Sequence, residues 1–189
     1  MKIILASSSP RRFKLLMEEG YKFEVVSPDV DEIRLPAESP QDYVRRLALV
    51  KARSVLVDKA LVIGADTVVV LGDEFLNKPS SELEAKVILE KLSGNVHTVY
   101  TGLSMICSVC GKEDSDFDKT IVHFNYLTEK SILKYIESGE PMDKAGAYGI
   151  QGMGSFLVKK IEGKLDTVIG FPKELFKKML KEHEDCLKV

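Results

Sequence analysis

The chain has 189 residues, 44% hydrophobic and 30% charged, which suits one ordinary globular domain with a sizeable core. A formal charge of −2 exerts no global pull on nucleic acid or an anionic membrane, so any anion site has to be built locally. No apolar run approaches the ~20 residues of a membrane span, and Met1 runs into an apolar strand without the features of a secretory signal. Three cysteines, Cys107, Cys110 and Cys186, are too few and odd in number for a disulfide framework. The expectation is a cytoplasmic protein that partners neither nucleic acid nor membrane.

Lys2 to Ala6 (KIILA) is a short apolar run bounded by serines and predicts a buried strand. Pro10 suits the first turn of a helix with Ser9 as its N-cap, and Gly20 is the natural stop. Tyr21 to Val26 predicts a second strand, and the polar, proline-containing stretch from Ser27 to Glu38 reads as a mobile flap or a cleft rim. Ser39-Pro40-Gln41-Asp42 opens a second helix running to about Val57. Leu61 to Leu71 is the most hydrophobic strand, and Gly72-Asp73 turns the chain so that Glu74 to Asn77 pairs back on it.

Ser81-x-x-Glu84 is a capping box for a third helix, ended by Gly94. Thr98–Val109 and Phe117–Leu127 alternate as strands, with the acidic stretch Lys112–Asp118 between them as a solvated turn. Thr128 caps a short helix that stops near Gly139, and a glycine-rich segment then leads into a strand. Glu162-Gly163 reads as a hairpin turn between Phe156–Ile161 and Lys164–Ile169. Pro172 begins a last amphipathic helix carrying Leu175, Phe176, Met179 and Leu180. Strands interleaved with helices, plus adjacent hairpins, imply a mixed α/β sheet.

Chemistry concentrates at a few points. Three serines after a buried strand bring hydroxyl and N–H donors to a helix N-terminus, and Arg11 and Arg12 add two guanidinium forks suited to phosphate. The bland alternative is a well-capped helix with two surface arginines. The Walker spacing of a P-loop is absent. Asp66 lies inside an apolar strand beside Gly64-Ala65, which leave room for a ligand's close approach; its carboxylate has to be paired, bound to metal or placed at a strand mouth, or else it caps a neighbouring turn. Lys51 shares a helix face with Leu47 and Val55, and either snorkels to water or points at a phosphate. Lys78-Pro79 precedes the third helix and is weak evidence alone.

Asp143–Gly154 holds four glycines in nine positions, which bring the backbone close to something, and Gln151 in its middle offers an acceptor and two donors to a base edge. A dinucleotide fingerprint is rejected because no helix follows. Cys107-x-x-Cys110 lacks the second pair that a structural zinc site wants, and on an extended strand its two residues face opposite ways, so these read as incidental cysteines.

Taken together, Ala6–Arg12 (ASSSPRR), the Tyr43–Arg53 helix, Gly64-Ala65-Asp66-Thr67, Lys78-Pro79, Gly94-x-x-His97-x-Val99-x-Thr101 and Asp143–Gly154 (DKAGAYGIQGMG) make the chain resemble the Maf family of nucleoside triphosphate pyrophosphatases. The resemblance implies a single two-lobed α/β domain over 1–189, Maf/ITPase-like, with an elongated mixed sheet flanked by helices and an active-site cleft. It implies hydrolysis between the α and β phosphates to a nucleoside monophosphate and pyrophosphate, with a divalent cation (Mg2+ or Mn2+). On it, Asp66 is the catalytic proton acceptor; Ser7, Arg11, Arg12, Lys51 and Lys78 handle substrate; Asp66 and Glu32 hold metal; Arg11, Thr67 and Gln151 set specificity.

The Tyr148–Gly152 form resembles the dTTP/UTP subgroup, with Gln151 accepting from a pyrimidine N3–H and donating to O4. A homodimer is a further implication. The alternatives are a pyrophosphatase for other or modified nucleotides, and a nucleotide-sensing division regulator without turnover.

Overall fold

The structure is a computed structural model that describes residues 1–187. β1 (Lys2–Ala6) is buried from its second residue onward, and α1 (Pro10–Glu18) starts as its residues dictate: the Ser9 hydroxyl accepts the Arg12 N–H, Pro10 fills the first turn, and Gly20 leaves the helix at φ 82°. β2 (Glu24–Val26) is shorter than Tyr21–Val26 because it is an outer strand, all three residues of which are exposed. α2 (Pro40–Ser54) is capped by Ser39 and ends before the exposed Leu56 and Val57.

β3 (Ala60–Leu71) runs parallel to β1, Ala60 opposite Lys2 and Gly64 opposite Ala6, and β4 (Glu74–Leu76) folds back antiparallel onto Val69–Leu71. α3 (Glu82–Leu92) has the Ser81 cap, but the Glu84 carboxylate returns to the Ser80 N–H and hydroxyl instead of completing the box on Ser81.

Beyond this point three expectations give way. β5 (Val96–Cys107) and β6 (Glu113–Phe124) are joined by a tight turn at Ser108–Cys110, so the acidic stretch is strand, not loop. Glu113 pairs with Arg53 and Asp116 with Lys178, cations from elsewhere in the chain, and Asp114 pairs with Lys112 of the stretch itself. The same turn removes the argument that Cys107 and Cys110 point apart. After α4 (Glu129–Ile136), capped by Thr128, the glycine-rich segment forms three 3-10 turns at Glu140–Asp143, Ala145–Ala147 and Gly152–Leu157, and Gln151 precedes the last of these instead of lying in a strand.

Finally, β7 (Val158–Glu162) pairs antiparallel with β6, and Glu162-Gly163 leads not into a hairpin partner but into α5 (Leu165–Ile169). Thr120 captures the chain there, its hydroxyl accepting the Lys164 N–H and donating to the Lys164 carbonyl, both at 2.9 Å. α6 (Lys173–Glu182) buries the four apolar residues expected of it, and α7 (Glu184–Leu187) follows.

The seven strands found among the described residues form one mixed sheet, ordered β2-β1-β3-β5-β6-β7 with β4 also on β3. The chain divides into two compact units, one of 1–66, 101–118 and the stretch from Gly170 onward, the other of 67–100 and 119–169. Ile4, Ala6, Ala52, Val62 and Ile106 form a core in the first; Leu89, Leu92, Val99, Phe124 and Tyr135 belong to the larger core of the second. Among the described residues no helix is long and apolar enough to cross a membrane.

Candidate active site

In the first unit, β1 ends at Ala6 opposite Gly64 of β3, which itself continues to Leu71, and the polar residues gather around the carboxyl end of β1, where α/β sheets commonly bind ligands. Ser7 is buried, and its hydroxyl accepts from the Ser9 N–H at 3.2 Å and from Arg12 Nη1 at 3.3 Å. Arg12 Nε donates to the Gly170 carbonyl at 2.9 Å, so two fixed acceptors orient the guanidinium plane. Burial lowers its pKa, and the nearby Asp66 and Glu32 carboxylates counter that effect. Arg11 is half-buried beside it.

Lys51 does not snorkel to water. Its side chain is 6% exposed, and the ammonium meets Asp66 Oδ1 and Glu32 Oε1, each at 2.5 Å. Burial raises the Asp66 pKa, while the charges of Lys51 and Arg12 pull it back down. Two glycines make this contact possible. A Cβ at Gly64 would lie 2.0 Å from the Ala48 carbonyl oxygen, and one at Gly102 would lie 2.3 Å from that of Val44. Ala48 and Val44 are one turn apart on α2, so both strands admit the helix backbone itself. The space that Gly64 leaves is thus filled by the α2 backbone, and the next turn of that helix delivers Lys51.

Glu32 comes from the 27–38 stretch, which has no regular structure but is tied down. The Tyr43 hydroxyl donates to the Glu32 carbonyl at 3.0 Å, and Arg46 holds Glu38 bidentately at 2.6 and 2.8 Å and the Ile33 carbonyl at 2.9 Å. Arg34 in turn donates to the Glu38 carbonyl. Tyr43 and Arg46 are therefore what position Glu32, a role that residue-by-residue reading missed; the only signal was their i, i+3 spacing on one helix face.

Thr67, Lys78 and Gln151 belong to the second unit. Thr67 is half-buried on β3, and Lys78 is exposed next to Asn77, whose carbonyl accepts the Gly146 N–H at 3.2 Å. The glycine-rich segment wraps its own supports. Glu140 accepts from the Tyr135 hydroxyl and the Met153 N–H, both at 3.1 Å, and the Gly149 N–H donates to the Tyr135 oxygen at 3.0 Å. A Cβ at Gly154 would meet the Gly149 carbonyl oxygen at 2.2 Å, and one at Gly146 would meet Val69 at 2.8 Å. The close approach read from these glycines is to protein. Gln151 stands exposed at the apex and makes no side-chain capping bond to the turn that follows.

The fold has a counterpart in a HAM1 protein from Coxiella burnetii, which superposes with a TM-score of 0.51 over 96% of this chain and 99% of that one at 12% identity. That likeness defines the class of fold alone: a mixed α/β sheet flanked by helices. The family model described as Maf-like protein matches residues 2–183, and the chain belongs to that family. Proteins named dTTP/UTP pyrophosphatase are similar along most of their length. The one from Thermotoga maritima is 50% identical over 176 residues (91% of this chain, 84% of that one), and the one from Vibrio cholerae is 48% identical over 174 residues (90% and 92%). That from Thermoanaerobacter sp. strain X514 is 47% identical over 175 residues, 91% of each chain.

Proposed function

We propose that the protein is a nucleoside triphosphate pyrophosphatase that hydrolyses dTTP and UTP to the monophosphate and pyrophosphate, with Asp66 as the proton acceptor. The observation that carries the reading is the buried Asp66–Lys51 pair, joined by the exposed Glu32, beside the Ser7–Arg12 turn, in a chain about half identical to enzymes of that name. The two carboxylate oxygens converge on one cation and are hard donors, which fits Mg2+ or Mn2+. Asp66 and Glu32 would hold such an ion, which supplies charge neutralisation at the phosphate oxygens.

The remaining work falls to the chain. Asp66 takes a proton from the attacking water, and burial makes it a stronger base than an exposed aspartate. Lys51 keeps it ionised and fixes its direction. Arg12, held flat by Ser7 and Gly170, faces the phosphates with Arg11, and their charges stabilise the transition state as the anhydride opens. Lys78 adds a further cation to the triphosphate, while Thr67 and Gln151 select the base, Gln151 through a carboxamide matched to pyrimidine N3–H and O4.

Pyrophosphate release from dTTP and UTP with Mg2+, and none with a chelator, is the expected result. Asp66→Asn should lower kcat by ~10² or more with metal saturating. Turnover near wild type in that variant would remove Asp66 from the role, and release of inorganic phosphate alone would overturn the reaction assigned.

A further inference from the structure

The turn between β5 and β6 reads Cys107-Ser108-Val109-Cys110-Gly111, and α7 brings Cys186 to it. The three sulfurs all lie within 4.8 Å of one another, with Cys110 Sγ 3.3 Å from Cys186 Sγ. Cys107 and Cys186 are buried, and Cys110 is exposed. The turn is shaped around the first sulfur. Gly111 takes φ 73°, its N–H donates to the Cys107 carbonyl at 2.9 Å, and the backbone N–H groups of Val109 and Cys110 donate to the Cys107 side chain. Two amides aimed at one sulfur favour a thiolate there over a thiol.

Other contacts bring Cys186 to the turn independently of the sulfurs. Lys112 Nζ donates to the Glu182 carbonyl at 2.9 Å, and Nε2 of the fully buried His183 lies 3.5 Å from Asp114 Oδ2 on β6. Three sulfurs this close have two chemical fates. A disulfide would consume two, strand the third and need an oxidant. A tetrahedral ion with Zn–S bonds of about 2.3 Å sets its sulfurs roughly 3.8 Å apart and uses all three.

We propose that Cys107, Cys110 and Cys186 form a thiolate site for a borderline-soft divalent ion, Zn2+ by its chemistry, which fastens α7 to the β5–β6 turn. Each thiol that binds gives its proton to solvent. The fourth position opens on the exposed Cys110 side and takes water. Sulfur donors separate this site from the oxygen donors of Asp66 and Glu32.

The test uses the full-length protein, purified reduced, stripped with chelator and titrated with Co2+ and then Zn2+. One Co2+ per chain should appear with near-ultraviolet thiolate charge-transfer absorption, which carboxylate-bound Co2+ does not give. Zn2+ should displace it and, at a thousandfold excess over Kd, raise the Tm by about 10 °C. Cys110→Ser alters an exposed side chain, so it should fold and yet bind at least tenfold more weakly. No charge-transfer band in the wild type would overturn the site, as would unchanged affinity in Cys110→Ser. A reduced protein that takes up no metal but loses two hydrogens in air, with Cys110 linked to Cys186, would make the group a redox pair instead.

Discussion

Two buried polar clusters, one in each unit, meet the cost of desolvation in opposite ways. In the first unit the buried Lys51 and Asp66 pair with each other, and Lys51 also with the exposed Glu32. In the second, His97 lies edge-on to Phe124 and Tyr148, with ring centroids 5.0 and 5.4 Å away, and its Nε2 is hydrogen-bonded to the Tyr148 hydroxyl at 2.8 Å. Burial, aided by His123, pushes His97 down to about 4, so it is neutral at pH 7, and its Nδ1 has no hydrogen-bond partner among the described residues. Opposite charges brought together offset each other's desolvation; a titratable group in a packed core without a counter-charge gives its charge up.

The largest effect expected is from Lys51→Met. It leaves Asp66 buried without its ammonium and should cost about 3–5 kcal/mol in urea unfolding at pH 7. The loss should shrink on acidification, as Asp66 takes up a proton. A cost under ~1 kcal/mol would show that the first cluster does not rely on pairing.

The second cluster should announce itself through pH. The unfolded histidine, at its ordinary 6.5, binds a proton that the folded one, at about 4, refuses. Stability from this group is therefore whole above pH 6.5 and lost as pH falls to 4, by about 3 kcal/mol in all. Depressed carboxylates such as Glu19 and Glu38 tilt the curve the same way, so the measure is the difference between wild type and His97→Phe across that range. Parallel curves would end the contrast between the clusters.

The smallest effect belongs to an exposed residue outside either cluster. Gln151→Glu should lower kcat/KM for dTTP and UTP about tenfold relative to ITP, while leaving unfolding within ~0.5 kcal/mol of wild type. Equal losses on all nucleotides would deny it a part in base selection.

Local grammar made the early part of the fold legible. Ser9-Pro10, Ser39-Pro40 and Thr128 each cap the helix they announce, and the apolar runs at 2–6 and 60–71 are strands. What escaped were features decided by distant partners. Glu113–Asp118 is strand because Arg53 and Lys178, far away in sequence, neutralise it. Lys164 leaves the hairpin path because Thr120 holds both of its backbone groups.

At the candidate site, Asp66 and Lys51 stood out as charges in apolar settings, and the structure joins them. Their link through Glu32, and the hold of Tyr43 and Arg46 on the loop that carries it, cross 11 and 13 residues of chain and leave no periodic trace.

Gly64 and Gly102 fix α2 against the sheet by having no side chain, and this bears on how the protein can vary. Most positions tolerate exchange in proportion to what they contribute. These two contribute only an absence, and any added carbon lands on main-chain oxygen, which has no rotamer to yield. The ammonium at Lys51 is thus a readout of helix height, adjustable by no mutation that leaves the helix where it is. Drift in the surrounding sequence is free to alter the loop beside Asp66 long before it can retune the distance to its partner.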